Sequence, residues 1–300
     1  SAAMARAVAR RFPNARGLAV STGAEPPAGA IEILGAAHPV PDPFSVVAAE
    51  RILALARAAR PDEEILFLLS GGASSLMALP SPGLSLADKQ QATRALLACG
   101  APIGDINVVR KHLSAVKGGR LSAATRAALR TFALSDVPGD DPAAIGSGPT
   151  LPDPSTQAEA REILARWGVP APPQVAAALA NPHLETPKMR PAGLRRDFTL
   201  IGGPGTALRA LCGILEREGF EPVNLGPLSG EARHVTADHA RLATQFAAAG
   251  RRCAIISGGE LSVTLAGSAG AGGRCREYLL ALALAGRQPV GIAAAAWDSD

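Results

Sequence analysis

Short apolar runs alternate with longer stretches of helical periodicity along most of the chain. Uninterrupted apolar runs predict buried strands, and apolar residues that recur every three to four positions predict helices. The predicted strands are 17–22, 31–37, 65–70, 131–135, 198–203, 220–225 and 253–257. The predicted helices are 43–59, 85–99, 119–129, 156–167, 173–180 and 206–218. This alternation indicates an α/β fold built on a mostly parallel, Rossmann-like sheet.

Polar residues mark where these elements begin and where the domains divide. Ser85 and Asp88 are spaced for a helix-capping pair at the start of the 85–99 helix. The segment 181–197 has little periodicity and reads as a linker or a surface loop. A second βαβ unit follows at about 198–226, so we expect a Rossmann-like core over about 1–180 and a second, smaller α/β domain.

Composition restricts the class of protein. The chain has 300 residues, of which 47% are hydrophobic, so it can bury a substantial core. The apolar runs 279–286 and 290–297 are far shorter than the ~18–20 residues of a membrane helix. Four cysteines lie far apart without CxxC spacing, which favours reduced thiols over disulfides or zinc. We therefore expect a soluble, cytoplasmic protein that does not associate with membranes.

The net charge of +4 does not indicate a nucleic-acid-binding protein, because the basic pairs are dispersed and no aromatic residues accompany them. Lysine usage is more informative. The chain has 26 arginines and four lysines, and two of those lysines, Lys111 and Lys117, lie in one short basic segment with Arg110. Such a segment could surround an anionic small-molecule substrate, or it could be a solvated helix face. His112 within it is expected to be a structural hydrogen-bonding residue.

Two glycine-rich segments follow predicted strands. In the first, Ser70, Gly71 and Gly72 precede the hydroxyls of Ser74 and Ser75, so backbone amides and a helix start could bind phosphate or carboxylate. The second contains Gly258, Gly259 and Glu260 after the 253–257 strand. An ordinary strand-to-helix turn is the alternative for the first segment. The glycine-rich residues 267–273 follow the second segment, and a flexible hairpin before Arg274 is the alternative there. The glycine turn at 202–206 is compatible with a pyrophosphate, although a tight turn explains it equally well.

Carboxylates follow the predicted strand 131–135. Asp136 comes directly after it, and Asp140 lies in the acidic turn beyond. Carboxylate oxygens suit a hard cation such as Mg²⁺, and an Asp-rich turn is the alternative. The segment from His38 to Asp42 contains two prolines and is therefore a rigid loop, which could place His38 beside the same ligand.

Several long motifs resemble the type-2 glycerate kinases, the family that joins a glycerate-kinase N-terminal domain to a MOFRL domain and is often labelled hydroxypyruvate reductase. These motifs are AHPVPD at 37–42, SGGASSLMALP at 70–80, INVVRKHLSAVKGGRL at 106–121, LSDVPGDDPAAIGSGPTLPDPST at 134–156 and SGGELSVTL at 257–265. The resemblance implies an N-terminal domain over 1–247 and an incomplete MOFRL domain over 251–300. It also implies ATP- and Mg²⁺-dependent phosphorylation of D-glycerate at the 2-hydroxyl, in a cleft between the domains. A homodimer is compatible with it.

The resemblance also implies roles for individual residues. Arg274 stands at the arginine of the family's GGRNQE segment and would act on the substrate or the transferring phosphate. The remaining roles are catalysis by Lys111 and Asp136; phosphate or nucleotide binding by Ser70, Gly71, Gly72, Ser74, Ser75, Gly258, Gly259 and Glu260; substrate binding by His38, Arg110 and Lys117; and metal binding by Asp136 and Asp140.

The chain departs from the family pattern in places. GGRNQE reads GGRCRE at 272–277, which loses two amides and adds a positive charge. A lysine of the family is expected upstream of Ser1, and the family's glycine–aspartate loop is expected to begin near 298–300, so we expect this stretch alone to be inactive. The alternative functions are an NAD(P)H-dependent hydroxypyruvate reductase, for which no dinucleotide fingerprint follows the first strand, and a non-catalytic paralogue that binds hydroxy acids or phosphates.

Overall fold

A computed structural model describes residues 2–137, 139–264, 272–285 and 291–296 of the chain. The chain forms two compact units. The first comprises residues 1–135 and 141–201, and the second comprises residues 136–140 and 202–300. The glycine-rich residues 265–271 and the terminal residues 297–300 lie outside the described part of the chain.

The first unit contains two sheets with helices between and around their strands. Its strands are β1 (Arg16–Ser21), β2 (Ala30–Gly35), β3 (Glu64–Leu69), β4 (Ala128–Leu134) and β5 (Arg196–Gly202). β1 pairs with β2 in parallel, and β3, β4 and β5 lie side by side in that order, with β3 parallel to β4. Its helices are α1 (Ala2–Arg11), α2 (Pro43–Ala58), α3 (Ala73–Leu76), α4 (Leu86–Ala98), α5 (Ile103–His112), α6 (Arg120–Ala123), α7 (Gln157–Arg166) and α8 (Pro173–Ala180).

The second unit is smaller and is also α/β. It contains α9 (Pro204–Arg217), β6 (Glu221–Glu231), α10 (Ala232–Ala248), β7 (Cys253–Ser262) and α11 (Arg274–Leu284). β6 and β7 pair in parallel, with a shift in register between Asn224 and Pro227. The expected α/β class with parallel strand pairs is therefore confirmed.

The predicted elements match the structure over most of the first unit, including the capping box in which Ser85 and Asp88 bond each other's backbone amides at the start of α4. The expectation of a helix over 119–129 is wrong. Only the four residues of α6 are helical, and β4 already begins at Ala128. The expected second βαβ unit is also divided, because β5 lies beside β4 whereas β6 pairs with β7.

The largest hydrophobic cluster of the first unit is made by helices α4, α5, α7 and α8. Leu96, Ile106, Leu113, Leu164 and Leu179 are buried in it. A second cluster joins α2 to the segments around α3 and α6 through Leu53, Met77 and Val116. The helices thus fix the segments that follow β3 and α5. In the described ranges no helix has the length and apolarity to cross a membrane.

Gly119 lies in the segment that follows α5, and its surroundings show how tightly that segment is packed. Its φ is +80°, and a Cβ there would lie 2.7 Å from the carbonyl oxygen of Leu151. Gly83 has a similar φ of +85° with no atom within 4 Å of a Cβ. Gly83→Ala should therefore cost only the backbone strain of about 1 kcal/mol, whereas Gly119→Ala should cost about 3 kcal/mol or more. Urea unfolding of both variants measures the difference, and equal costs would contradict the close approach to Leu151.

Candidate functional site

The turn between β3 and α3 is held in place by its own hydroxyl groups and by its neighbours. Gly72 adopts a φ of +76° at the start of α3. Ser75 is buried and donates a hydrogen bond to the carbonyl oxygen of Gly72 at 3.0 Å. A Cβ at Gly72 would lie 3.1 Å from the His38 ring. His38 therefore lies against this turn, and the Ser75 hydroxyl is bonded within the turn itself.

Lys117 connects this turn to the segment around Gly146 through hydrogen bonds. Its ammonium donates to the carbonyl oxygen of Ser74 at 2.9 Å and to that of Gly146 at 3.5 Å. The side chain is completely buried. Burial and the repulsion of Arg110 lower the pKa of Lys117 to about 7. The expectation that Lys117 contacts substrate is thus corrected, because its ammonium is committed to two backbone carbonyl groups.

The segment after Lys117 pairs with the Gly146–Thr150 segment. The backbone amides of Gly118 and Gly119 donate to the carbonyl oxygens of Ser147 and Gly148 at 3.1 and 2.8 Å. The hydroxyl groups of Ser74 and Ser147 lie 2.9 Å apart and share a hydrogen bond. A Cβ at Gly146 would lie 2.8 Å from a methyl carbon of Leu69, at the end of β3. Three segments that are remote in sequence therefore form one hydrogen-bonded assembly.

Lys111 pairs with a carboxylate that the sequence analysis missed. Its ammonium lies 3.2 Å from Asp153 Oδ1, and both side chains are buried. Burial alone would raise the pKa of Asp153, but hydrogen bonding from Ser155 and the charge of Lys111 outweigh it and hold that pKa below its usual value. The expected catalytic role of Lys111 is corrected accordingly, since its charge neutralises a buried carboxylate. No pattern around Asp153 distinguishes it from other Asp-Pro turns.

His112 is a structural residue, as its position suggested. Its ring nitrogens lie 2.8 Å from the carbonyl oxygen of Val108 and 2.9 Å from Glu185 Oε1. Burial acts to raise the pKa of Glu185, yet the bonds from the Gln157 amide, Lys188 and the Thr186 amide, with His112, lower it to about 2. The interpretation of 181–197 as a linker or surface loop is wrong at this point, because Glu185 and Thr186 are packed against His112.

Several cationic side chains near this assembly have no carboxylate of their own. The Arg110 guanidinium is half-buried, and burial lowers its pKa. Lys89, on α4, is 5% exposed, and its ammonium has no hydrogen-bond acceptor among the described residues. Burial, followed by the charges of Lys117, Arg110 and Arg120, lowers the pKa of Lys89 well below its usual value. The sequence analysis did not single out Lys89, whose surroundings only the fold reveals.

The second glycine-rich segment is not a loop. Gly258 and Gly259 lie within β7 and pair with Pro227 and Leu228 of β6. A Cβ at Gly259, whose φ is +99°, would lie 2.1 Å from the carbonyl oxygen of Leu228. These glycines permit close approach of two strands, so the expected strand-end anion loop is wrong. Glu260, in the same strand, forms an ion pair with Arg274 at the start of α11.

The two predicted metal ligands belong to the second unit. Asp136 is exposed, and Asp140 adopts a φ of +56°. A Cβ at Gly203, the residue before α9, would lie 2.3 Å from Asp140 Oδ1, so this carboxylate lies directly against the glycine turn. Within the ranges that the structure covers, no three His, Cys, Asp or Glu side chains are grouped to hold a metal ion. Asp136 and Asp140 do not form a metal centre by themselves.

Two family models match the chain. A domain of unknown function, DUF4147, matches residues 1–180, and the MOFRL family matches residues 253–300. An Agrobacterium vitis protein provisionally named hydroxypyruvate reductase is 45% identical, with all of this chain and 70% of that protein covered. A D-glycerate 2-kinase of Thermotoga maritima is 37% identical over 87% of this chain and 62% of its own length.

The fold is similar to that of a solved structure. The crystal structure of a glycerate kinase from Thermotoga maritima superposes with a TM-score of 0.82 at 35% sequence identity. The superposition covers 94% of this chain and 69% of that one. Identity at this level, together with the family matches, makes the similarity one of family as well as of fold.

Buried Lys89 should make stability depend on pH. Because its folded-state pKa lies well below 10.5, the unfolded chain holds the proton longer as the pH rises. Stability should therefore increase towards pH 10.5, by up to about 1.4 kcal/mol per pH unit for this lysine. In urea unfolding between about pH 7 and 10, Lys89→Met should reduce the increase seen in the wild type. Lys188→Met, at a partly exposed position, is the control, and equal slopes for wild type and Lys89→Met would contradict the prediction.

Proposed function

This chain is a kinase of the type-2 glycerate kinase family, and from that premise we propose that it transfers the terminal phosphoryl group of ATP to the 2-hydroxyl of D-glycerate. The product is 2-phospho-D-glycerate. The observation that carries this proposal is the excess of positive charge beside the β3–α3 turn, where Arg110 and Lys89 have no carboxylate partner among the described residues. A substrate carboxylate or phosphate would supply the missing negative charge.

Arg110 is the residue that we assign to the glycerate carboxylate. Its guanidinium is half-buried, and no hydrogen bond or ion pair holds it in the part of the chain that the structure describes. A planar guanidinium can donate two parallel hydrogen bonds to one carboxylate. Partial burial strengthens such a pair because water competes less for either partner.

The β3–α3 turn would bind phosphate oxygens through its first residues. Gly71 is exposed and Ser70 is half-buried, so both are open to a ligand. Ser74 and Ser75, in contrast, use their hydroxyl groups to bond Ser147 and the backbone of Gly72. We therefore assign ligand binding to Ser70, Gly71 and the Gly72 amide, and the holding of the turn to the two later serines. With only four residues, α3 adds little dipole to this attraction.

Phosphoryl transfer needs positioning and charge stabilisation more than covalent catalysis. The oxygen of the 2-hydroxyl forms the new bond to phosphorus while the bond to ADP breaks, and the hydroxyl proton passes to water or to a carboxylate such as Asp136. We assign Arg274 to the charge on the transferring phosphoryl group, by its resemblance to the family's arginine. Its ion pair with Glu260 would orient the guanidinium for this task.

Mg²⁺ belongs to the same proposal. One oxygen of Asp140, Oδ1, is buried and has no hydrogen-bond partner among the described residues. An oxygen of this kind suits a cation that takes one or two carboxylates and completes its shell with water and phosphates. Asp140, with Asp136, would thus hold the ion, which when bound neutralises phosphate charge. A cytoplasmic location completes the proposal, in agreement with four free cysteines.

Hydroxypyruvate reduction is the competing function, because relatives from Agrobacterium vitis carry that provisional name. It requires a site for a nicotinamide dinucleotide. The glycine turn before α9 is the best sequence match for such a site, yet the Asp140 carboxylate lies against Gly203 there. A carboxylate repels a pyrophosphate, so this turn favours the kinase over the reductase.

The assay that separates the two functions uses the protein with whatever sequence flanks this chain in its gene. D-glycerate, ATP and Mg²⁺ should produce ADP at a rate that depends on glycerate. Hydroxypyruvate with NADH or NADPH in parallel wells should leave the reduced cofactor unchanged. Oxidation of the cofactor without ADP release would reject the kinase, and silence in both wells would favour a binding protein.

Arg110→Met tests the assignment of the carboxylate. Removal of a partly buried charge-assisted pair should raise the KM for D-glycerate by about tenfold or more, with a smaller effect on the KM for ATP. Arg94→Met is the matched control, since Arg94 is exposed on α4 and donates only a long hydrogen bond, of 3.4 Å, to Gln90. An unchanged KM for glycerate in Arg110→Met would withdraw the assignment.

A further inference from the structure

Lys89 is in an unusual position for a lysine. It lies one helical turn inside α4, with a side chain 5% exposed and an ammonium nitrogen that meets no acceptor among the described residues. A buried charge without a partner is costly, so buried lysines are normally paired with a carboxylate. Leucine or methionine would fill the same space without that cost. Packing alone therefore does not explain a lysine here.

Among the described residues, the charged groups that act on Lys89 are all cations. They come from three places: Arg110 on α5, Lys117 in the segment after it, and Arg120 in α6. Asp153 and Glu185 act on Arg120, and Asp153 is also paired with Lys111. On α4 itself, the Asp88 carboxylate is bonded to Ser85 at the capping box. An anion bound near Arg110 would be the first negative neighbour that Lys89 meets.

The choice of lysine over arginine supports a role in proton exchange. Of the four lysines in this arginine-rich chain, Lys89, Lys111 and Lys117 are buried and only Lys188 is partly exposed. An amine can lose its proton when it is buried, whereas a guanidinium keeps its charge under all ordinary conditions. At Lys89, where every charged neighbour is a cation, only an amine can change its charge with the state of the site.

We propose that Lys89 is a buried proton acceptor that becomes charged when an anionic substrate binds beside Arg110, so that substrate binding takes up a proton from solvent. This inference rests on the proposed function, because it concerns the same anion site. In the free protein, burial and the charges of three cations disfavour the charged form of Lys89 and lower its pKa well below the usual value. The negative charge of a bound carboxylate or phosphate opposes the charges of the three cations and therefore favours the protonated form of Lys89. The positive charge of the site thus increases when the substrate arrives.

The expected dependence on pH follows from the same linkage. Above the pKa that it has in the free protein, each lysine that must be protonated in the complex weakens binding by up to tenfold per pH unit. Lys117, whose pKa is about 7, contributes to this dependence in every variant that retains it. Lys89→Met removes the contribution of Lys89 alone. The slope of log Kd against pH should therefore be shallower in Lys89→Met than in the wild type.

Isothermal titration calorimetry at about pH 8, in three buffers that differ in ionisation enthalpy, counts the protons directly. The probes are D-glycerate and, separately, sodium sulfate as a simple dianion. The wild type should take up about half a proton or more per bound anion, and Lys89→Met should take up measurably less. Lys188→Met should match the wild type. Lys89→Gln is a second neutral variant, which serves if Lys89→Met does not fold.

The outcomes separate this inference from the proposed function. Equal proton uptake in the wild type and in the neutral variants, or binding with no uptake, overturns the role of Lys89. Sulfate binding with Lys89-dependent uptake, but no binding of D-glycerate, supports the role of Lys89 and rejects glycerate as the ligand. If neither anion binds, both the site and the role of Lys89 are overturned.

Discussion

The two hydrogen bonds from Lys117 to the carbonyl oxygens of Ser74 and Gly146 are the constraint on which the site depends. They join the turn after β3 to a segment about seventy residues away, and the backbone of that segment also accepts hydrogen bonds from Gly118 and Gly119, which follow Lys117. Because the ammonium is fully buried, the bonds do not compete with water. Lys117, which no ligand needs to touch, therefore helps to fix the position of the exposed Gly71.

Local sequence patterns predicted most of the helices and strands but few of the tertiary contacts. In the first unit the predicted strand bounds agree with the structure to within three residues, and the Ser85–Asp88 capping box was predicted correctly, because hydrophobic periodicity and capping act over a few residues. Gly258 and Gly259 show the limit. A glycine pair permits a turn, a ligand or a neighbouring strand equally well, and only the fold shows that Leu228 occupies the space. Asp153 and Lys89 were missed for the same reason, since their partners or neighbours come from other elements.

Charge in the first unit is distributed in a way that suits phosphoryl transfer. Lys111 is paired with Asp153, and the His112 ring lies within hydrogen-bond distance of Glu185, so both side chains stabilise the fold. Arg110 has no such partner among the residues that the structure describes, which is why we assign the substrate carboxylate to it. A kinase of this family must bind anionic substrates before the phosphoryl group is transferred. A preformed site with excess positive charge attracts these anions without having to rearrange.

The burial of Lys89 and Lys117 has a consequence at the level of the gene. A lysine codon becomes an arginine codon by one base change, and the 26 arginines of this chain indicate that arginine is accepted almost everywhere a cation is used. At these two positions the same change would place a permanent guanidinium in the protein interior, where it could not shed its charge. Such a change, which is tolerated on the surface, would therefore be damaging at Lys89 and Lys117.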